Sequence, residues 1–170
     1  AHASMAPEKG RSSLDAVEAM NYMVNMMREH MPQESRIHYV ITDGGKAPNV
    51  IPDFAEVYYY VRHPKRSEVV ALFDRVVKAA SGAATGTETT MEYEIIGGTH
   101  ELLINRTLAQ LMNNNLQQIG GFQYSPEEAD FASQIQSTLQ FKVPDLQSVS
   151  KVHPLNPNNT ADGGSSDVGD

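Results

Sequence analysis

The stretch Phe54-Ala55-Glu56-Val57-Tyr58-Tyr59-Tyr60-Val61-Arg62 decides how this chain is read. It is rich in β-branched and aromatic residues, and Pro64 closes it shortly after. That composition predicts a strand. Side chains alternate across a strand, so Val57, Tyr59 and Val61 share one face, and Glu56, Tyr58, Tyr60 and Arg62 share the other. Upstream, Ile37–Thr42 alternates in the same way and ends in Asp43-Gly44-Gly45, which is turn chemistry. Two neighbouring strands with one apolar face each need helices to cover them.

Both flanks supply one. In Ser12–Met31, Leu14, Val17, Met20, Val24, Met27 and Met31 recur at spacings of three and four, a single apolar stripe. Ser12 or Ser13 can cap it, Asp15 suits its first turn, and Pro32 ends it. In Ser67–Ala80, Val69, Leu72, Phe73, Val76, Val77 and Ala80 form the apolar face, and Gly82 and Gly86 loosen the end. Thr89–Ile96 alternates again and reads as a third strand. If Ala1–Ser4 belongs to a fourth, the order is strand-helix-strand-strand-helix-strand. That order predicts an α+β, ferredoxin-like, four-stranded antiparallel sheet with two helices on one face and the other face open.

Beyond Gly97-Gly98 the character changes to Asn, Gln, Ser and Gly. Asn105–Ile119 has helical apolar spacing, and Ser125-Pro126-Glu127-Glu128 is a helix start leading into Ala129–Leu139. The chain therefore divides into residues 1–100, one folded domain, and residues 101–170, a partial helical segment of another.

Composition narrows the function. The 170 residues carry a formal net charge of −8, which disfavours nucleic acid and anionic lipid as partners. There is no cysteine, which excludes disulfide scaffolds, Cys-ligated zinc, iron–sulfur clusters and thiol nucleophiles. No apolar run approaches the ~20 residues of a membrane span. These exclusions point to a soluble, cytoplasmic protein. The six histidines, His2, His30, His38, His63, His100 and His153, include no pair at metal-ligand helix spacing. The acidic, Gly-rich stretch from Asp162 lacks the spacing of a calcium loop, and Asn105-Arg106-Thr107 and Asn158-Asn159-Thr160 fit the glycosylation pattern. The start at Ala1, inside structured-looking sequence, predicts a piece of a longer chain.

Three motifs stand together: Ala1-His2-Ala3-Ser4-Met5-Ala6-Pro7, Gly45-Lys46-Ala47-Pro48-Asn49-Val50-Ile51-Pro52, and Val61-Arg62-His63-Pro64. In this order and spacing the chain resembles the lid, or dimerisation, domain of the zinc-dependent amidohydrolases and carboxypeptidases. That family includes aminoacylases, carboxypeptidase G and β-alanine synthase; the nearest branch acts on aminobenzoyl-glutamate. The resemblance extends through the Ile104-Asn105-Arg106-Thr107-Leu108-Ala109 segment and the closing Ser165–Asp170. It implies the metal-dependent hydrolysis of an N-acyl or N-aroyl amino acid. Two divalent metal ions, usually zinc, would lie in a separate catalytic domain of the parent protein and activate a water. No ligand motif for them occurs in this chain, which is expected to be inactive alone; Asp167 and Asp170 are not assigned as ligands. The resemblance also implies a homodimer in which the lid of one copy contributes a histidine to the other's active site. Carried over by motif, that catalytic residue is His2, and the substrate-binding residues are Asn49 and Arg62.

The types suit the chemistry. An imidazole can hydrogen-bond a developing oxyanion, a carboxamide can align a carbonyl, and a guanidinium can grip a carboxylate bidentately. Without the resemblance, a stand-alone ferredoxin-like binding or dimerisation module fits the element order equally well, since fold does not imply function.

Overall fold

The computed structural model describes residues 1–156. Asn158–Thr160, the acidic stretch from Asp162, and Asp167 and Asp170 lie outside the described residues. The described chain divides between Leu102 and Leu103 into two compact units.

The first unit is built from α1 (Ser13–Met27), β1 (Arg36–Asp43), β2 (Glu56–Arg62) and α2 (Arg66–Gly86). Ser12 caps α1 by accepting a hydrogen bond from the Asp15 N–H. A 3-10 turn at Arg28–His30 finishes the helix short of Met31. The strands pair antiparallel, with Ile37 opposite Val61 and Tyr39 opposite Tyr59; the register shifts between Ile41 and Asp43. Val24, Ile37 and Val76 are buried together, with Met20, Met27, Met31, Tyr59 and Val61 packed around them. The apolar stripes of both helices thus meet the Ile37/Tyr39/Tyr59/Val61 face of the hairpin. On the opposite face Val40, Tyr58 and Tyr60 are exposed.

The four-stranded ferredoxin-like sheet is not found. Among the described residues there is one sheet of two strands, β1 and β2, in a mixed α/β unit. Thr89–Ile96 alternates in sequence but joins no ladder, and Tyr93, Ile95 and Ile96 are exposed. Tyr93 makes a ring contact with Phe73 of α2, centroids 5.7 Å apart. Alternation supplies a face but not an edge partner, and a segment without backbone pairing is not a strand. The Ala1–Ser4 segment makes a single bridge, His2 to Val50, rather than a strand.

Helix α2 also runs past the expected stop at Ala80. Ala83 and Ala84 are buried, and a Cβ at Gly82 would sit 4.0 Å from Met23 Sδ of α1. Close helix packing overrides the weak helix propensity of glycine there. The Thr87 N–H ends α2 on the Ala83 carbonyl, and Glu88 follows at φ 55°.

The second unit carries α3 (Arg106–Ile119) and α4 (Pro126–Ser137). Asn105 caps α3 by accepting from the Leu108 N–H, and Ser125 with Glu128 forms a reciprocal capping box on α4. No residue described in this unit is buried, and Leu108, Leu111, Met112 and Ile119 of α3 are exposed.

Candidate functional site

The N-terminal segment and the β1–β2 loop are tied by main-chain hydrogen bonds. The Ala3 N–H donates to the Asn49 carbonyl (2.9 Å), and the Ile51 N–H donates to the Ala1 carbonyl (3.0 Å). The loop is itself braced. The Gly45 N–H donates to Asp43 Oδ1 (2.9 Å), and Gly45 adopts φ +102°, a left-handed conformation that favours glycine. The Val50 N–H closes a turn on the Ala47 carbonyl (3.1 Å). Its far end is fixed to the start of α1: the Ser13 N–H donates to the Pro52 carbonyl (2.9 Å) and Ser13 Oγ to the Asp53 carbonyl (3.0 Å).

These ties bring His2 and Asn49 together, with His2 directly paired to Val50, the residue after Asn49. Both side chains are exposed. The Ser4 N–H donates to His2 Nδ1 (3.3 Å), and Ser4 Oγ lies 3.2 Å from the same nitrogen. An Nδ1 that accepts leaves the proton of the neutral ring on Nε2. In that tautomer the imidazole offers Nε2–H as its donor. The motifs alone give Ser4 no role; its signal is a hydroxyl residue two positions after the histidine, the spacing of a local side-chain turn.

Arg62 is elsewhere. It closes β2 opposite Arg36, and its guanidinium carbon lies 5.2 Å from the centre of the Tyr60 ring. Six strand steps, about 20 Å at ~3.3 Å per residue, separate it from Glu56, where the loop enters the strand. Helix α1 marks the same two ends. Ser13 at its start holds the loop, whereas Arg28 just past its end donates to the Ile37 carbonyl (2.7 Å), beside the Arg36–Arg62 pair. His2 and Asn49 therefore sit at one end of the hairpin and Arg62 at the other.

Beside the His2–Asn49 ties lies an open groove of about 750 Å³. Ala3, Leu14, Val50 and Ile51 give it apolar walls, and Arg11, Asp15 and Lys46 are its charged residues. His63 is taken up structurally: it accepts from the Lys65 N–H at Nδ1 (2.9 Å), and its buried ring keeps Nε2 4.0 Å from Glu34. Among the described residues no cluster of three or more His, Asp or Glu side chains could hold a metal ion. Among the described residues the two metal ions implied by the resemblance find no donor set. No helix among the described residues is long and apolar enough to cross a membrane.

Comparison with known proteins agrees with the motifs. The family model described as the peptidase dimerisation domain matches residues 1–101. One of the subunits of the p-aminobenzoyl-glutamate hydrolase of Escherichia coli (strain K12) is 44% identical over 140 residues, 82% of this chain and 29% of that protein. The Xaa-Arg dipeptidases of Mus musculus and Homo sapiens are each 30% identical over 70% of this chain and 28% of their own length. The chain spans under a third of the length of these curated relatives. With its His2, Asn49 and Arg62 motifs in order and a family model covering nearly the whole first unit, the chain belongs to the peptidase dimerisation domain family.

Proposed function

We propose that this chain is the dimerising and substrate-capping part of a hydrolase that cleaves the amide of an N-acyl or N-aroyl amino acid, such as p-aminobenzoyl-glutamate. The carrying observation is the placement of its three motif residues. His2 and Asn49 share one end of the hairpin, and Arg62 closes the other. One copy cannot bring both ends to a molecule the size of an acyl amino acid. A homodimer can, if each substrate meets His2 and Asn49 from one copy and Arg62 from the other.

The roles follow from the side chains. During amide hydrolysis the carbonyl oxygen becomes an oxyanion, and the Nε2–H of His2 is a donor suited to it. Such a donor acts on the transition state more than on the ground state, so its loss lowers kcat, by about 10²–10³-fold for one oxyanion donor. The Asn49 carboxamide aligns the substrate. The Arg62 guanidinium pairs with the substrate carboxylate in both ground and transition states, so its loss raises KM. The metal ions that would activate the water belong, on this reading, to the catalytic domain of the parent protein.

The test uses the full-length parent and p-aminobenzoyl-glutamate. His2→Ala and Arg62→Ala are each purified, then co-expressed with different tags so that mixed dimers can be isolated. Each homodimer is expected to be crippled. The mixed dimer keeps one intact site, built from His2 of one copy and Arg62 of the other, and is expected to recover up to about half the wild-type activity. A mixed dimer no more active than the two homodimers would refute the shared-site reading.

A further inference from the structure

We infer that Lys46 is a specificity-determining residue that receives a second carboxylate of the substrate, so that the site selects an acyl amino acid with an acidic side chain. The inference rests on the hydrolase reading above.

Lys46 lies near the start of the β1–β2 loop, between two braces: the Gly45 turn on Asp43 and the Ala47–Val50 turn. The same loop carries Asn49 and is paired to the segment bearing His2, so one hydrogen-bonded stretch of main chain carries all three residues. Lys46 lines the groove with Ala3 and Val50, the immediate neighbours of His2 and Asn49.

Of the three charged residues lining that groove, the other two are engaged or anionic. Arg11 Nε is 2.6 Å from Glu88 Oε2, and its second guanidinium nitrogen donates to the carbonyls of Glu8 and Gly10. Asp15 carries the wrong sign to receive an anion. Among the described residues the ammonium of Lys46 has no carboxylate partner, at an exposed position in a chain of net charge −8. In so acidic a molecule, an unpaired cation beside apolar walls is a local attractor for an anion. Arg62, which reaches the substrate from the other copy, accounts for a single carboxylate. An acyl-glutamate has two, and the copy that presents His2 to the amide presents Lys46 to the second.

The experiment uses the full-length parent with two substrates that differ only in that charge, p-aminobenzoyl-glutamate and p-aminobenzoyl-glutamine. Lys46→Met is expected to lower kcat/KM for the glutamate substrate by about 10- to 100-fold, mainly through KM. That is the range for a hydrogen bond to a charged group. The same change should alter the glutamine substrate by less than about threefold, and Lys46→Arg should restore most of the loss. Equal losses on both substrates, or none on either, would overturn the role of Lys46 and leave the hydrolase reading standing. A wild-type enzyme that cleaves neither amide would overturn both.

Discussion

Replacing Tyr59 by Phe tests how the helix layer is locked to the hairpin. The Tyr59 hydroxyl donates to Asn21 Oδ1 across the interface between β2 and α1. Asn21 is 6% exposed, so without that donor its amide oxygen is left buried and short of a partner. An unsatisfied buried acceptor costs about 1–3 kcal/mol, and the ring itself stays in place, so Tyr59→Phe should destabilise the chain by that amount at pH 7. The pH dependence supplies an independent signature. Burial, and after it the neighbouring Tyr39, push the Tyr59 hydroxyl above the usual tyrosine range, so the fold keeps it neutral. The unfolded chain ionises it near pH ~10. The contribution of this group is therefore complete below about pH 10 and is lost as pH rises further, until the folded hydroxyl itself ionises. The loss is at most about 1.4 kcal/mol per pH unit, and nearer ~1 for a half-buried ring that keeps some solvent. Phe has nothing to ionise, so the stability gap between wild type and variant should narrow by about 1 kcal/mol between pH 10 and 11. Urea unfolding followed by far-UV circular dichroism at pH 7, 9, 10 and 11 measures both effects. A variant as stable as wild type at pH 7, or a gap that stays constant to pH 11, would refute the reasoning.

Other substitutions probe the remaining layers. Leu72→Ala empties a site that is 2% exposed and should cost about 2–5 kcal/mol in the same urea assay, whereas Leu111→Ala on α3, 55% exposed, should change stability by less than about 0.5 kcal/mol. Gly45→Ala forces a side chain onto φ +102° with its Cβ 2.7 Å from Pro52 Cγ, a strain of about 1–3 kcal/mol that falls on the loop. Amide hydrogen exchange should then speed up at Ala3 and Ile51, whose N–H groups tie the loop to the N-terminal segment, and stay unchanged at Val24 in the core; equal acceleration at all three would mean global destabilisation instead.

The helices and the hairpin were legible because each carries its own periodic signal. The stripe from Leu14 to Met27 and the alternation in Val57-Tyr58-Tyr59-Tyr60-Val61 report burial directly. Strand pairing is different. Thr89–Ile96 has the same alternation as β2, yet pairing depends on which backbone edge lies alongside, and side-chain pattern carries no record of that. The extension of α2 through Gly82 was hidden for a related reason: the approach of Met23 is a tertiary fact, invisible to local propensity. The candidate site was legible only as motifs. Nothing in the spacing of His2 and Asn49 says that they meet, because the link is main chain to main chain across dozens of residues. The separation of Arg62 from Asn49 does follow from strand geometry once β2 is placed. Lys46 lies inside one of the motifs, but its lack of a carboxylate neighbour emerges only in three dimensions.

The His2–Val50 bridge also bears on how this region can be redesigned. A contact made by peptide groups is indifferent to the side chains at its ends, so the position of the imidazole is inherited from the path of the backbone. Residues 1–10 and 44–53 therefore behave as one graftable cassette. Transplanting either stretch alone from a relative risks a mismatch in loop length that would move the histidine without altering it. Transplanting both carries the constellation across, provided that Asp43 and Ser13, which fix the two ends of the loop from outside it, are kept.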